Sequence, residues 1–187
     1  SISFFPGLAG ATTASGVTVT EQTSLQLSAV YACINMISTD IAKLALYVEK
    51  EDRGGWKKDK KHYINKIIKR PNKRFTTYTL LQSVVFNFLL SGNGYIALIR
   101  DNSGKVTHMI PCDNWAVTVN EQMNGDRLYY ANSKLFVGLK TSFTSEGISG
   151  PQRTFREEDM IHIQNSNTYG GLYGSSPIQQ AGEVFGL

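Results

Sequence analysis

Cysteine is nearly missing from this chain: Cys33 and Cys112 are the only two in 187 residues. Two thiols without C-x-x-C spacing build neither a zinc site nor a disulfide framework. Histidine is almost as scarce, and His62, His108 and His162 lie far apart. No pair of them has metal-ligand spacing, and the H-E-x-x-H and P-loop motifs do not occur. There is no N-x-Ser/Thr glycosylation acceptor. The longest apolar run, residues 84–90, is interrupted by Asn87 and falls far short of the about 20 residues that a membrane span needs. The first eleven residues are short on basic charge and rich in glycine, so no secretory signal is expected. These absences predict a soluble, cytoplasmic protein in a reducing compartment, with no metal, no cofactor and no membrane partner.

What is present is ordinary globular material. Apolar residues make up 41% and aromatics 11%, which argues against wholesale disorder and leaves room for one core or two small lobes. Nineteen Lys and Arg against fifteen Asp and Glu give a net charge of +4. That excess permits an anionic partner without demanding one.

The stretch from Thr76 to Pro111 organises the rest. An apolar helical run capped by Thr76 or Thr77 ends on Ser91-Gly92-Asn93-Gly94, where glycine stops the helix and reverses the chain. Thr79 to Gln82 has capping-box spacing, and Leu81, Val84, Val85, Phe88 and Leu89 supply the expected core face. Strands over 95–100 and 105–111 follow, joined by Asp101-Asn102-Ser103-Gly104. Before this unit, residues 1–23 read as a loose arm. A helix over 24–44 is predicted to bury Val30, Cys33, Ile34, Ile37, Ile41 and Leu44, which recur at helical steps. A strand over 46–49, a turn at 52–55 and a short helix around Ile64–Ile68, ended by Arg70-Pro71, come next. After it, strands over 115–120 and 127–131 flank an Asn124-Gly125 hairpin signal. A strand over 134–139, a loop over 141–153, an acidic turn at 155–159, a strand over 160–164 and a helix opening at Ser176-Pro177 complete the pattern. The expected class is α+β: a few helices packed on short, mostly antiparallel strands and hairpins. The domain is placed at 24–176, with 177–187 as the start of a helix cut off in mid-pattern.

Few residues suggest chemistry. Gly92-Asn93-Gly94-Tyr95-Ile96-Ala97 matches G-x-G-x-x-G/A formally, but a helix precedes it and a strand follows. A dinucleotide loop needs the reverse order, so that helix N–H groups face the pyrophosphate. Ser176 lacks the second glycine of a nucleophile elbow and suits a helix cap better. Glu157-Glu158-Asp159 reads as a solvated turn, and His162 as a structural histidine in its strand. Lys57, Lys58, Lys60 and Lys61 beside Trp56 allow weak anion or DNA contact, although a solvated turn is the better reading and the run encodes no sequence readout. Tyr169, Leu172 and Tyr173, set among glycines, form either an interaction loop or an ordinary connection.

The ordered set of motifs resembles the portal (head–tail connector) proteins of long-tailed double-stranded DNA bacteriophages. It is carried by residues 27–42, by Ile67-Ile68-Lys69-Arg70-Pro71-Asn72, by Leu90 to Tyr95, by Arg100-Asp101 through Gly104-Lys105-Val106, by Ile110-Pro111, by Asp159 to Ile163 and by Gly170 to Ile178. Leu44-Ala45-Leu46 departs from it where a proline is expected, and the loop at 139–153 looks individual. The resemblance implies a non-enzymatic ring of identical subunits, usually a dodecamer, at one capsid vertex of the virion, assembled in the host cytoplasm. It also implies partners: the major capsid protein, the terminase, head–tail adaptor proteins and double-stranded DNA contacted without sequence specificity. This chain would be the outer wing region up to the start of the stem. Two other readings are a small hydrolase or transferase using Ser176 or Glu158, and a non-specific nucleic-acid-binding module.

Overall fold

A computed structural model of the chain describes residues 11–12, 18–19, 28–136, 152–166 and 171–180. In chain order the strands Ala11–Thr12 (β1) and Thr18–Val19 (β2) pair with each other, and the helix Ser28–Ala42 (α1) follows. A projecting hairpin, Glu49–Asp52 (β3) with Gly55–Lys58 (β4), leads to the short helix Ile64–Lys69 (α2). Then come the helix Thr77–Ser91 (α3) and the strands Asn93–Arg100 (β5), Val106–Cys112 (β6), Val117–Glu121 (β7), Arg127–Asn132 (β8), Gln152–Arg156 (β9) and Met160–Gln164 (β10). The helix Pro177–Gln180 (α4) ends the described chain.

Two antiparallel three-stranded sheets, β10-β5-β6 and β7-β8-β9, carry the core. Alternation along β5 sends Tyr95, Ala97 and Ile99 to one face, where they meet Val117, Val119, Tyr129, Phe155 and Met160. Ile96 and Leu98 point the other way, onto Leu80 and Val84 of α3. The helix shows a second side, Leu90 with partly buried Phe86 and Leu89, to Ile34 of α1 and Ile178 of α4. Both faces of β5 are therefore covered, and the α+β class is as read.

Local chemistry explains the joints. Thr76 caps α3: its Oγ1 accepts from the Thr79 amide at 3.3 Å, and the Thr79 hydroxyl accepts from the Thr76 amide at 2.9 Å. The capping box is thus Thr76 with Thr79. Gln82, the expected partner, instead donates to Thr39 Oγ1 of α1 at 3.2 Å. The Asn124-Gly125 hairpin closes with only Gly125 at positive φ, 86°. Gly125 N–H donates to Gln122 O, and Gln122 N–H to Asp126 O. The two-residue turn lies elsewhere, at Arg53-Gly54, both of whose φ angles are positive.

Several expectations shift. The strand expected at 46–49 begins at Glu49, because its partner Gly55–Lys58 pairs across the Arg53-Gly54 turn. Residues 133–136 form a 3-10 turn instead of the start of a strand, burying Phe136 in the core. Most of the arm at 1–23 and of the loop at 141–153 lies outside the described residues, as do residues 181–187, while Gln152 and Arg153 of that expected loop belong to β9.

The largest correction concerns α1. Its buried line is Ile34, Ser38 and Ala42, while Cys33, Ile37, Ile41 and Leu44 are exposed. Small residues let α1 approach α3 closely, so Ser38 and Ala42 take the inner face that apolarity alone had given to the larger side chains. Thr76→Ala is expected to lower stability by about 1 kcal/mol and Thr76→Ser to leave it nearly unchanged, measured by urea unfolding.

Candidate functional site: a glycine-locked joint and two exposed faces

Where α3 hands over to β5, the backbone packs against the segment leading into α4. Gly92 ends the helix at φ 80°, and its carbonyl accepts from the Asn165 amide at 2.8 Å. A Cβ on Gly92 would overlap the Ser175 carbonyl, and one on Gly174 would overlap the Gly92 carbonyl and lie 2.6 Å from Asn165 N. Two glycines therefore allow a contact that no side chain permits.

Asn93 ties this joint. Its Oδ1 accepts from the Gly174 amide at 2.7 Å, and its Nδ2 donates to the carbonyls of Ser91 at 3.1 Å and Gly174 at 3.2 Å. With Oδ1 an acceptor, His162 Nε2 at 3.0 Å must be the donor. His162 Nδ1 then faces the Tyr129 hydroxyl at 3.5 Å. The imidazole stacks on Tyr95, ring centres 4.4 Å apart, and meets Tyr129 edge-on. Burial, with a smaller contribution from Arg127, pulls the His162 pKa down from 6.5 to about 4. The ring is neutral and serves packing, as the sequence suggested.

Among the described residues no chemistry assembles around the remaining candidates. Ser176 is buried and its hydroxyl donates to Leu90 O at 2.9 Å, fastening α4 to the end of α3. Glu158 lines an open polar pocket with Gln122, Asp126, Arg127, Leu128, Arg156 and Glu157, and no nucleophile or histidine joins it there. Asp159 pairs with Arg100 at 2.7 Å, so the acidic turn is fixed by an ion pair. No three His, Cys, Asp or Glu side chains of the described residues come together as a metal site. Burial pushes the Cys112 thiol up to about 12, which keeps it protonated and unreactive.

The interaction-loop residues divide. Leu172 and Tyr173 pack against the core, and the Tyr173 hydroxyl accepts from the Val119 amide at 2.8 Å. Tyr169 lies outside the described residues. The four lysines also separate. Lys57 pairs with Asp52 at 2.6 Å, and Lys58 sits 3.8 Å over the Tyr47 ring. Lys60 and Lys61 stand apart from both of these pairs, in the exposed turn before α2. The outer face of α1, with Met36 65% exposed, runs on past the helix end to Leu44, 63% exposed, and into a groove lined by Leu44, Leu46, Ile68 and Tyr78. The sequence held the signal for this face, Cys33, Ile37, Ile41 and Leu44 at helical steps, but the same signal reads as core.

A sequence profile described as phage portal protein matches residues 28–187. This chain belongs to the phage portal protein family. It is 30% identical over 182 residues to the probable portal protein of Streptomyces phage phiC31, covering 95% of this chain and 37% of that one. It is 22% identical to the portal protein of Enterobacteria phage HK97 over 172 residues, 90% of this chain and again 37% of the relative. Among solved structures, the neck of an empty gene transfer agent particle, computed with C6 symmetry, matches with TM-score 0.66 at 18% identity, over 88% of this chain and 42% of that one. The neck of the native particle, computed with C12 symmetry, gives 0.60 at 17%, over 82% and 36%. These necks share the fold. The chain spans a little over a third of the length of its curated portal relatives, and the glycine-locked joint belongs to that third. The family is a structural one, and the hydrolase reading has nothing to support it.

Two outcomes test the joint. Gly174→Ala is expected to destabilise by more than about 3 kcal/mol in chemical denaturation, because the new methyl meets backbone on two sides. The His162 imidazole is less basic folded than unfolded, so the unfolded chain binds the extra proton. His162 should therefore contribute full stability above about pH 6.5 and lose about 1–3 kcal/mol as pH falls toward 4. Melting curves of the parent and His162→Gln across that window should converge as the pH falls.

Proposed function

We propose that this chain is the wing portion of a portal subunit, with the domain at 24–176 and α4 opening the path to the stem. Twelve copies form a ring at one vertex of the virion capsid. The ring conducts double-stranded DNA during packaging and ejection. It sits against the major capsid protein, docks the terminase during packaging and receives head–tail adaptor proteins afterwards. The subunit works as a rigid, non-enzymatic wedge, assembled in the host cytoplasm.

The observation that carries this reading is the uncovered apolar face of α1. A helix that packs Ser38 and Ala42 inward and leaves Met36, Ile37 and Ile41 exposed, with Leu44 exposed just past its end, is shaped to be covered. In a ring, a face of this kind meets a different surface of the next copy, and rotation closes the set. Symmetric necks among the structural relatives support that arrangement. A fold clamped at Gly92, Asn93 and Gly174 suits a part that transmits load without deforming.

Expressed from its complete gene, the protein should form closed rings under negative-stain electron microscopy, and strictly monomeric particles would overturn the proposal. Ile37→Asp with Leu44→Asp should prevent ring closure. Both positions are exposed, so the melting temperature of the isolated chain should move by no more than the effect of about 0.5 kcal/mol per site.

A further inference from the structure

Residues 60–74 hold seven of the nineteen basic side chains and no acidic one. They leave twelve basic against all fifteen acidic residues for the other 172 positions, a net of −3. The positive excess of the protein is thus concentrated in one segment: the turn before α2, α2 itself and the turn after it. Lys60, Lys61, Lys66, Lys69, Arg70, Lys73 and Arg74 are all exposed.

This segment is held rigidly. Asn65 gathers its first turn, accepting from the Val48 amide at 3.2 Å and donating to Asp59 O and to His62 O. Ile64, Ile67 and Ile68 face inward and turn Lys66 and Lys69 out. Beyond α2, Pro71 and Asn72 are buried against β6. Pro71 O accepts from the Met109 amide at 3.0 Å, and Asn72 Nδ2 donates to Met109 O at 2.7 Å. Asn72 Oδ1 accepts from the amides of Arg74 and Phe75 at 2.8 and 3.0 Å. That clamp presents Arg70, Lys73 and Arg74 from a fixed backbone. The nearest acid in sequence, Asp59, is half-buried and takes the Lys61 amide at 3.1 Å.

We propose that this ridge binds the phosphate backbone of double-stranded DNA without reading its sequence. Five of its seven cations are lysines, which bind phosphate as point charges without directional readout and are depleted at protein–protein interfaces. Protein interfaces also need an apolar or aromatic anchor. The one exposed aromatic inside the ridge, Tyr63, is stacked on His62 and lies beneath Lys105, and the apolar groove at Leu44, Leu46 and Tyr78 meets the ridge at one edge only, Asn65, Ile68 and Lys69. A regular polyanion needs no such anchor. The site shares only Lys60 and Lys61 with the Lys57–Lys61 run: Lys57 pairs with Asp52, Lys58 sits over Tyr47, and most of the binding charge lies C-terminal to them. The inference rests on the portal reading for the source of the DNA, and on this chain's own charge for the binding itself.

Fluorescence anisotropy with a labelled random-sequence duplex, read between about 50 and 200 mM salt, tests it. Replacing Lys60, Lys61, Lys66 and Lys69 together by Gln should reduce the slope of log affinity against log salt by about 3.6, or about 0.9 for each phosphate no longer neutralised. Lys57→Gln with Lys58→Gln should change it by less than about 1. A ridge variant that keeps the parent slope while melting like the parent overturns the proposal. So does a hairpin variant that weakens as much, or a polyglutamate peptide bound as tightly as the duplex, which would point to an acidic protein. Ring formation is scored separately by microscopy. Rings without DNA binding defeat this inference alone, and DNA binding without rings defeats the portal assembly alone.

Discussion

The contact between Gly92 and the Gly174-Ser175 backbone sets the terms for the rest of the molecule. It brings the end of α3 and the start of α4 closer than any side chain allows. Asn93 holds that approach with three backbone partners and His162 on top, so every hydrogen-bonding group of its amide is engaged. A buried amide so satisfied has one good geometry and many poor ones, which makes the joint specific as well as tight. Ser176 then fastens the beginning of α4 to Leu90 O, and Ile178 fills the space between Ile34 and Leu90.

Rigidity at that point decides what the outer surfaces do. With α3 fixed between the sheet and α1, the small line Ile34, Ser38 and Ala42 fits inward and the large apolar residues of α1 are left facing out. The β6 strand receives Pro71 and Asn72, which turns the basic segment after α2 toward solvent. An apolar face and a basic ridge are thus presented by one stiff body. Both features are what the proposed ring subunit would use, the one for contacts between neighbours and the other for weak contact with DNA.

Much of this was legible in the chain. Helical steps in residues 28–42 and 77–91, alternation in β5 and β10, and the glycines at 92, 104 and 125 place helices, strands and turns without any tertiary information. Ser176-Pro177 marks the start of α4, and the order of motifs points to the portal family. Those signals are local, because a helix period, a turn residue or a proline acts on its own few neighbours. Local signals misassign the capping partner in this region, since Gln82 has a competing acceptor, Thr39 on α1, that is remote in sequence.

The sequence by itself determined most of the element types and the family, but not the 3-10 turn at Ser133–Phe136 or the strand Gln152–Arg156. Tertiary structure alone decided which face of α1 is buried and which lysines the hairpin engages. It also decided that Asn93, His162 and Gly174 form one joint across 81 residues of chain. The reason is physical. Apolarity says that a side chain gains from being covered, but closeness of packing decides which side chains are covered by the chain itself and which are left for a partner.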